Sequence, residues 1–303
     1  MKKTTVFALA LVAALVAFAA PKKAKRLSLV ELAGKEGVTS QELAEEVRRV
    51  APWKRQLTDE IFNEYVLPDA VIDEAKDDWR PMFTKMFVPV IKGARNPTEA
   101  VRKINAVVWE KLDVKYSMER DFPNQSPFHS MRIHKASCTG QTILLVCAYR
   151  SVGVPARLVT CNWTSRPGNH SWVEYYDKGW HVCGEDGKSA IDDRWSAILA
   201  SEADASDPSK HIYASRATPN GTWLWRTWGD PNVPMVGLVP ADDVTERYRK
   251  YKDLAKKLAK KVKTTTIGRP RIIKTGEVIQ ASPEPSRRGY YVPKGRSKLL
   301  RAL

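Results

Sequence analysis

The sequence predicts an α+β fold in which a helical N-terminal part packs with an antiparallel β-sheet. Two observations carry this expectation. Over residues 40–115 apolar side chains recur at three- and four-residue steps, the spacing of one helix face. After residue 155 the pattern changes to short strand-like runs at 156–163, 170–176 and 179–183. Turn signals separate them, Arg166-Pro167-Gly168-Asn169 and Asp177-Lys178-Gly179. Helices followed by a hairpin-connected meander are the mark of an α+β arrangement.

Each element has its local reason. Thr39 or Ser40 can cap a helix over 41–50, whose first residues are acidic and last residues basic, as the helix dipole prefers. Ile61, Tyr65 and Val66 give a second apolar face, broken at Pro68. Pro97 opens another helix at a position where its missing N–H costs nothing, and Val101, Ile104, Val107, Val108 and Leu112 form its apolar face. Residues 117–135 are polar and read as a loop. A helix follows from Cys138 to about residue 151, ended by Gly153 and Pro155. Residues 221–240, rich in Trp, Gly and Pro, read as irregular structure wrapping the core. Residues 241–263 read as one amphipathic helix, with Val244, Tyr248, Tyr251, Leu254 and Leu258 on one side. These signals divide the chain into a leader at 1–19, a linker at 20–39, a helical part at 40–116, a core at 117–240 and a basic C-terminal part at 241–303.

The leader reads as a secretory signal. Lys2 and Lys3 precede an apolar run over residues 6–18, and Ala17-Phe18-Ala19 is an A-x-A cleavage site. The run is shorter than the roughly 20 residues a spanning helix needs, so export with cleavage near Ala19 is expected, to the periplasm or beyond. Charge is unevenly placed. Residues 245–303 carry 18 Lys and Arg against 4 Asp and Glu, which is 14 of the 16 net positive charges. On an exported protein such a tail suits an anionic cell-wall polymer or membrane surface. Nucleic acid, the ordinary partner of a basic tail, does not fit a chain with a secretory signal.

Four cysteines, Cys138, Cys147, Cys161 and Cys183, would then meet an oxidising compartment in which disulfides can form. Cys161 and Cys183 fall on the first and third strands of the meander. Strands two apart lie about 9–10 Å from each other, which is beyond disulfide reach. Cys147, mid-helix beside Ile143 and Leu144, reads as a buried structural thiol. Cys138 differs, because it follows Ser137, a preferred helix cap, and opens a helix. A thiol there faces the positive end of the helix dipole and unpaired backbone N–H groups, which favour a thiolate and stand where an oxyanion would form. A buried structural cysteine is the other reading of that position.

His170 opens the second strand directly after a Gly-Asn turn, where its ring can serve as a base for the thiol. His129 and His134 are nearer in sequence but lie in the polar loop. A metal site from His129, His134 and Cys138 lacks a paired-ligand spacing such as C-x-x-C, so no metal is expected, nor any other cofactor. The carboxylate that orients the imidazole would come from Glu185 or Asp186, both just after the third strand. If extension continues, side-chain alternation puts Asp186 on the face of Trp180 and Val182. Asp186 is therefore preferred, with Glu185 the alternative.

These residues resemble the catalytic core of the transglutaminase-like superfamily. The motifs are SCTGQTILLVCAYRSVGVPARLV at 137–159, GNHSWVEYYDKGWHVCGED at 168–186 and DDRWSAILASEADASDPSKHIYA at 192–214. The resemblance implies a papain-like fold and a triad of Cys138, His170 and Asp186. The family commonly has its aspartate four residues after the third-strand tryptophan; here Gly184 stands there and Asp186 comes two later. Thr139 replaces the aromatic often found after the family's cysteine. On the oxyanion side the candidates are Gln125, Trp109 and the helix start at Thr139. The implied activity is acyl transfer or hydrolysis at protein or peptide amides through a thioester. A binding or scaffolding module, using Trp223, Trp225 and Trp228 with the basic tail, is the reading from a different class.

Overall fold

The structure, a computed structural model, describes residues 27–164, 168–187, 203–225 and 238–251. The expected leader, the far part of the basic tail and Trp228 lie outside these residues. Among the described residues of the first half there are eight α-helices: α1 (Leu29–Ala33), α2 (Ser40–Val50), α3 (Asp59–Tyr65), α4 (Arg80–Phe87), α5 (Pro97–Asn105), α6 (Val108–Leu112), α7 (Pro127–Ile133) and α8 (Cys138–Arg150). Two short strands, β1 (Lys115–Tyr116) and β2 (Lys135–Ala136), pair in parallel around α7. Strands β3 (Ala156–Asn162), β4 (Asn169–Tyr176), β5 (Trp180–Cys183), β6 (Tyr213–Ser215) and β7 (Ala241–Asp243) form one antiparallel sheet in the order β5-β4-β3-β6-β7. The fold is α+β, as the sequence predicts.

The caps explain where helices begin. Thr39 accepts from Glu42 N–H while the Glu42 side chain returns to the Thr39 N–H, a reciprocal capping box. Asn96 caps α5 and Pro97 sits in its first turn. Three expectations change. The linker holds α1, started by a second capping box between Ser28 and Glu31. The polar loop holds α7, where Ser126 caps and Pro127 leads, so local capping outweighs polar composition. The single helix expected from Pro97 to Leu112 is two, α5 and α6, divided at Ala106 and Val107.

Every residue of α8 is buried, so this helix is the spine of the molecule and has no solvent face. One side of the sheet packs on it: Val173 and Tyr175 share a core with Ile143, Leu144, Val146 and Tyr149. The alternate side of β4, with Trp172, joins Val159, Cys161, Trp163, Val182, Ile212 and Tyr248 in a second cluster. Period-two alternation thus sends neighbours on β4 into different cores.

The C-terminal helix expected from residue 241 begins instead as the edge strand β7 and a 3-10 turn at Glu246–Tyr248. The ladder and two carboxylates hold it extended. Val244 N–H continues the pairing to Ile212 O at 2.8 Å. Asp242 takes Arg157 at 2.8 Å, and Asp243 takes His211 Nδ1 at 2.6 Å. A helix would forfeit those partners. Among the described residues no helix is long and apolar enough to cross a membrane.

Candidate active site

Cys138 opens α8, and Ser137, extended at the N-cap, makes no side-chain capping bond. The first intrahelical bond runs from Gln141 N–H to Ser137 O at 2.8 Å. The N–H groups of Cys138, Thr139 and Gly140 therefore precede the ladder, at the positive end of a 13-residue helix. Cys138 is 9% exposed. Gly140 is needed for close approach, since a Cβ there would stand 3.0 Å from Ala136 Cβ.

β4 delivers His170 to the same place. Thr139 Oγ1 lies 3.1 Å from Ser171 Oγ, which ties the first turn of α8 to the start of β4. The imidazole is 5% exposed and stacks between Trp163, 5.4 Å away, and Trp172, 6.0 Å away. Its Nε2 lies 3.2 Å from Glu185 Oε2, and the ring hydrogen-bonds Cys138. Glu185 is 1% exposed. Burial works against the charged ring, but the Glu185 carboxylate and the Cys138 sulfur more than reverse this, and the His170 pKa rises to about 10. Sulfur, imidazole and carboxylate are thus in one chain, with Nε2 on the carboxylate side.

The carboxylate set against the ring belongs to Glu185, where side-chain alternation favoured Asp186. The cause is local. β5 stops at Cys183, and Gly187 N–H closes a turn onto Gly184 O at 3.0 Å, so the alternation does not extend to residue 186. Gly187, at φ +66°, supplies the backbone conformation that ends this turn. Asp186 is half-buried, and its main-chain carbonyl accepts the Trp109 indole N–H. Trp109 therefore clamps the turn that carries Glu185.

The oxyanion-side candidates are also engaged. Gln125 Nε2 donates to Ser130 Oγ at 3.1 Å and Lys135 O at 2.9 Å, while its Oε1 accepts the Asp121 N–H at 3.2 Å. It stitches the loop to β2. The Thr139 hydroxyl is held by Ser171, which leaves its backbone N–H as the group at the helix start. Tyr116, which no sequence pattern singles out, has a phenol that feels both Cys138 and Glu185.

The other candidates serve elsewhere. All four cysteines are free. Burial raises the Cys147 thiol well above its usual range and pushes Cys183 up to about 11, with Asn105 donating to its sulfur at 3.3 Å. His129 Nε2 meets Asp121 at 2.6 Å, and His134 Nδ1 meets Asp113 O at 2.9 Å. Trp225 packs against the main core, and Trp223 bridges to Pro240.

Residues 85–184 match the family model of the transglutaminase-like superfamily. That segment is similar to a transglutaminase-like domain. The matched segment runs from within α4 to the end of β5. It contains both Cys138 and His170 and stops one residue before Glu185. No protein of curated function matches the chain. Among solved structures, a protein from Cytophaga hutchinsonii provisionally assigned as a cysteine protease is 15% identical, over 54% of this chain and 58% of its own, at a TM-score of 0.32. A TGase is 16% identical, over 36% of this chain and 32% of its own, at 0.28. Red sea bream transglutaminase is 12% identical, over 75% of this chain and 42% of its own, at 0.33. The chain thus spans 58% or less of the length of these proteins.

Proposed function

We propose that the transglutaminase-like domain is a cysteine-dependent acyl transferase or amide hydrolase acting on protein or peptide amides, with Cys138 as nucleophile, His170 as acid–base and Glu185 as the orienting carboxylate. The observation that carries this reading is the buried Nε2–Glu185 contact on a ring that also bonds Cys138 at a helix start. A buried charged carboxylate is costly unless paired, so Glu185 has a reason to face His170. The pairing holds a protonated ring beside the sulfur.

In the reaction the sulfur attacks the amide carbonyl carbon, forming a C–S bond as the carbonyl π pair moves onto oxygen. The backbone N–H groups at the start of α8, which precede the helix ladder, can donate to that oxygen. Collapse breaks the C–N bond, and His170 gives its proton to the departing amine, leaving a thioester. Water or a second amine then attacks the thioester carbon, with His170 taking the proton back, and the C–S bond breaks to return the Cys138 sulfur with its electron pair. Water gives hydrolysis; an amine such as lysine gives a new amide.

Export belongs to the same proposal, supported by the basic, apolar and A-x-A segments of residues 1–19. The basic tail would then hold the domain at an anionic wall or membrane surface. The test of the chemistry is mass spectrometry of a candidate substrate protein incubated with the enzyme and an added primary amine. Cleaved peptide bonds or deamidated side chains indicate water as acceptor, and incorporated amine indicates transfer. No modification that depends on Cys138 would overturn the proposal.

A further inference from the structure

The proposed chemistry creates negative charge on the carbonyl oxygen, yet the side chains that sequence suggests for that oxygen are engaged elsewhere. Both N–H groups of the Gln125 amide are donated to Ser130 and Lys135, and the Trp109 N–H is given to the Asp186 carbonyl. Backbone N–H groups at the helix start remain. A second donor, from a different direction, would complete the pocket.

The small parallel ladder brings one there. Tyr116 pairs with Ala136 in β1–β2, and Ser117 N–H bonds Ala136 O at 2.9 Å. Paired residues in such a ladder project to the same face. The face bearing Ala136 looks onto the first turn of α8, because a Cβ on Gly140 would nearly touch Ala136 Cβ. Tyr116 therefore shares the face that looks onto the first turn of α8, which Cys138 opens, and it is only half-buried, so an incoming substrate can reach it. Resting on the function proposed above, we infer that the Tyr116 phenol is a further catalytic residue, donating a hydrogen bond to the substrate carbonyl oxygen as Cys138 attacks.

The donor must keep its proton at the pH of the reaction. Burial, then the charges of Cys138 and Glu185, push the Tyr116 pKa up to about 12. The phenol is thus a donor throughout the working range and transfers no proton. As the C–S bond forms and the oxygen gains the π pair, the Tyr116 bond shortens and strengthens. It relaxes when the carbonyl reforms and the leaving group departs with its electron pair.

Two reagents for the same sulfur separate this role from others. p-Nitrophenyl acetate acylates through a tetrahedral oxyanion, whereas iodoacetamide alkylates by displacement at a saturated carbon and forms none. In the full chain, Tyr116→Phe keeps the ring and removes only the hydroxyl. Loss of one oxyanion donor typically costs about 10²-fold or more in rate. Acylation of Cys138, followed as p-nitrophenolate release, should fall by about that factor, while alkylation of Cys138 stays within about twofold of wild type. Acylation left within about threefold of wild type would overturn the inference. Parallel loss of acylation and alkylation would also overturn it, by showing that Tyr116 supports the nucleophile or the fold. If the wild-type protein itself is not acylated at Cys138, the proposed function falls and this inference with it. A normal wild type beside an unaffected Tyr116→Phe variant removes this inference alone.

Discussion

An imidazole that is 5% exposed would ordinarily shed its proton readily, because burial disfavours the charged ring. At His170 the Glu185 carboxylate and Cys138 outweigh that cost and hold the pKa at about 10. The consequence for pH can be signed. The folded pKa lies above the unfolded value of roughly 6.5, so the pairing stabilises the fold fully below that pH. The stabilisation is lost as pH rises through about 10. Glu185→Gln removes a cause of the rise, and the alkaline limb of the kcat/KM profile should move to lower pH. Activity at neutral pH should fall by about 10²–10⁴-fold. Asp186→Asn should leave that limb in place; a shift in Asp186→Asn but not in Glu185→Gln would reverse the assignment. Local signals in the sequence place Cys138 at a helix start and His170 near a strand start, and both positions are observed. The choice between neighbouring acids was not legible, because it depends on the residue at which β5 gives way to a turn. Tyr116 was hidden for a related reason: a two-residue strand is too short to leave a periodic pattern.

Elements hold these residues through a few tight contacts. Gly153, in the turn that follows α8, has φ +79°, and an added Cβ would come 2.4 Å from Val47 Cγ1 on α2. Its carbonyl also accepts the Trp53 indole N–H at 2.7 Å. Gly153→Ala should therefore destabilise by roughly 2–4 kcal/mol, from left-handed strain and overpacking together, measured by chemical denaturation. A change below about 1 kcal/mol would show that α2 shifts freely. On the far side of β4, Glu174 is fully buried between Arg157, 3.0 Å away, and Arg247, with Tyr248 donating to it at 2.7 Å. Burial opposes its charge, but the two guanidiniums hold its carboxyl below the usual range. Glu174→Gln takes this carboxylate from Arg247 and leaves Arg157 with Asp242 alone, and should cost about 3 kcal/mol. The stabilisation from Glu174 is present above its unfolded pKa and should fade as pH falls through the lower folded one. At this scale the sequence was readable where caps and periodicity agree, as at α2, α5 and α8. It was less so at β7, where partners distant in sequence, Arg157 and Ile212, hold the chain extended.

Among the described residues a buried helix packs against one side of a sheet, and residues 241–251 close the other side. Tyr248 accepts the Trp172 indole N–H at 2.7 Å, and Trp172 stacks on His170, so this closing segment backs the site. Truncation after residue 240 removes β7 and Tyr248 and should lower the melting temperature and abolish turnover. Truncation after residue 263 should leave turnover of a small soluble amide nearly unchanged while weakening sedimentation with anionic vesicles. Loss of turnover in the longer form would place residues 264–303 within the catalytic unit. The broad architecture was legible because the change of period after residue 155 is strong. The way C-terminal residues return to the sheet was not, since those pairings span 26 or more residues. The proposed site is one chain of contacts, from sulfur to ring to carboxylate. Its most direct measurement is the rate and site of iodoacetamide labelling at neutral pH, read by peptide mass spectrometry in wild type, His170→Ala and Glu185→Gln. The account predicts fast labelling confined to Cys138 and slowed by about tenfold or more in both variants. Slow labelling shared among the four cysteines, or a Cys138 rate indifferent to His170, would contradict it.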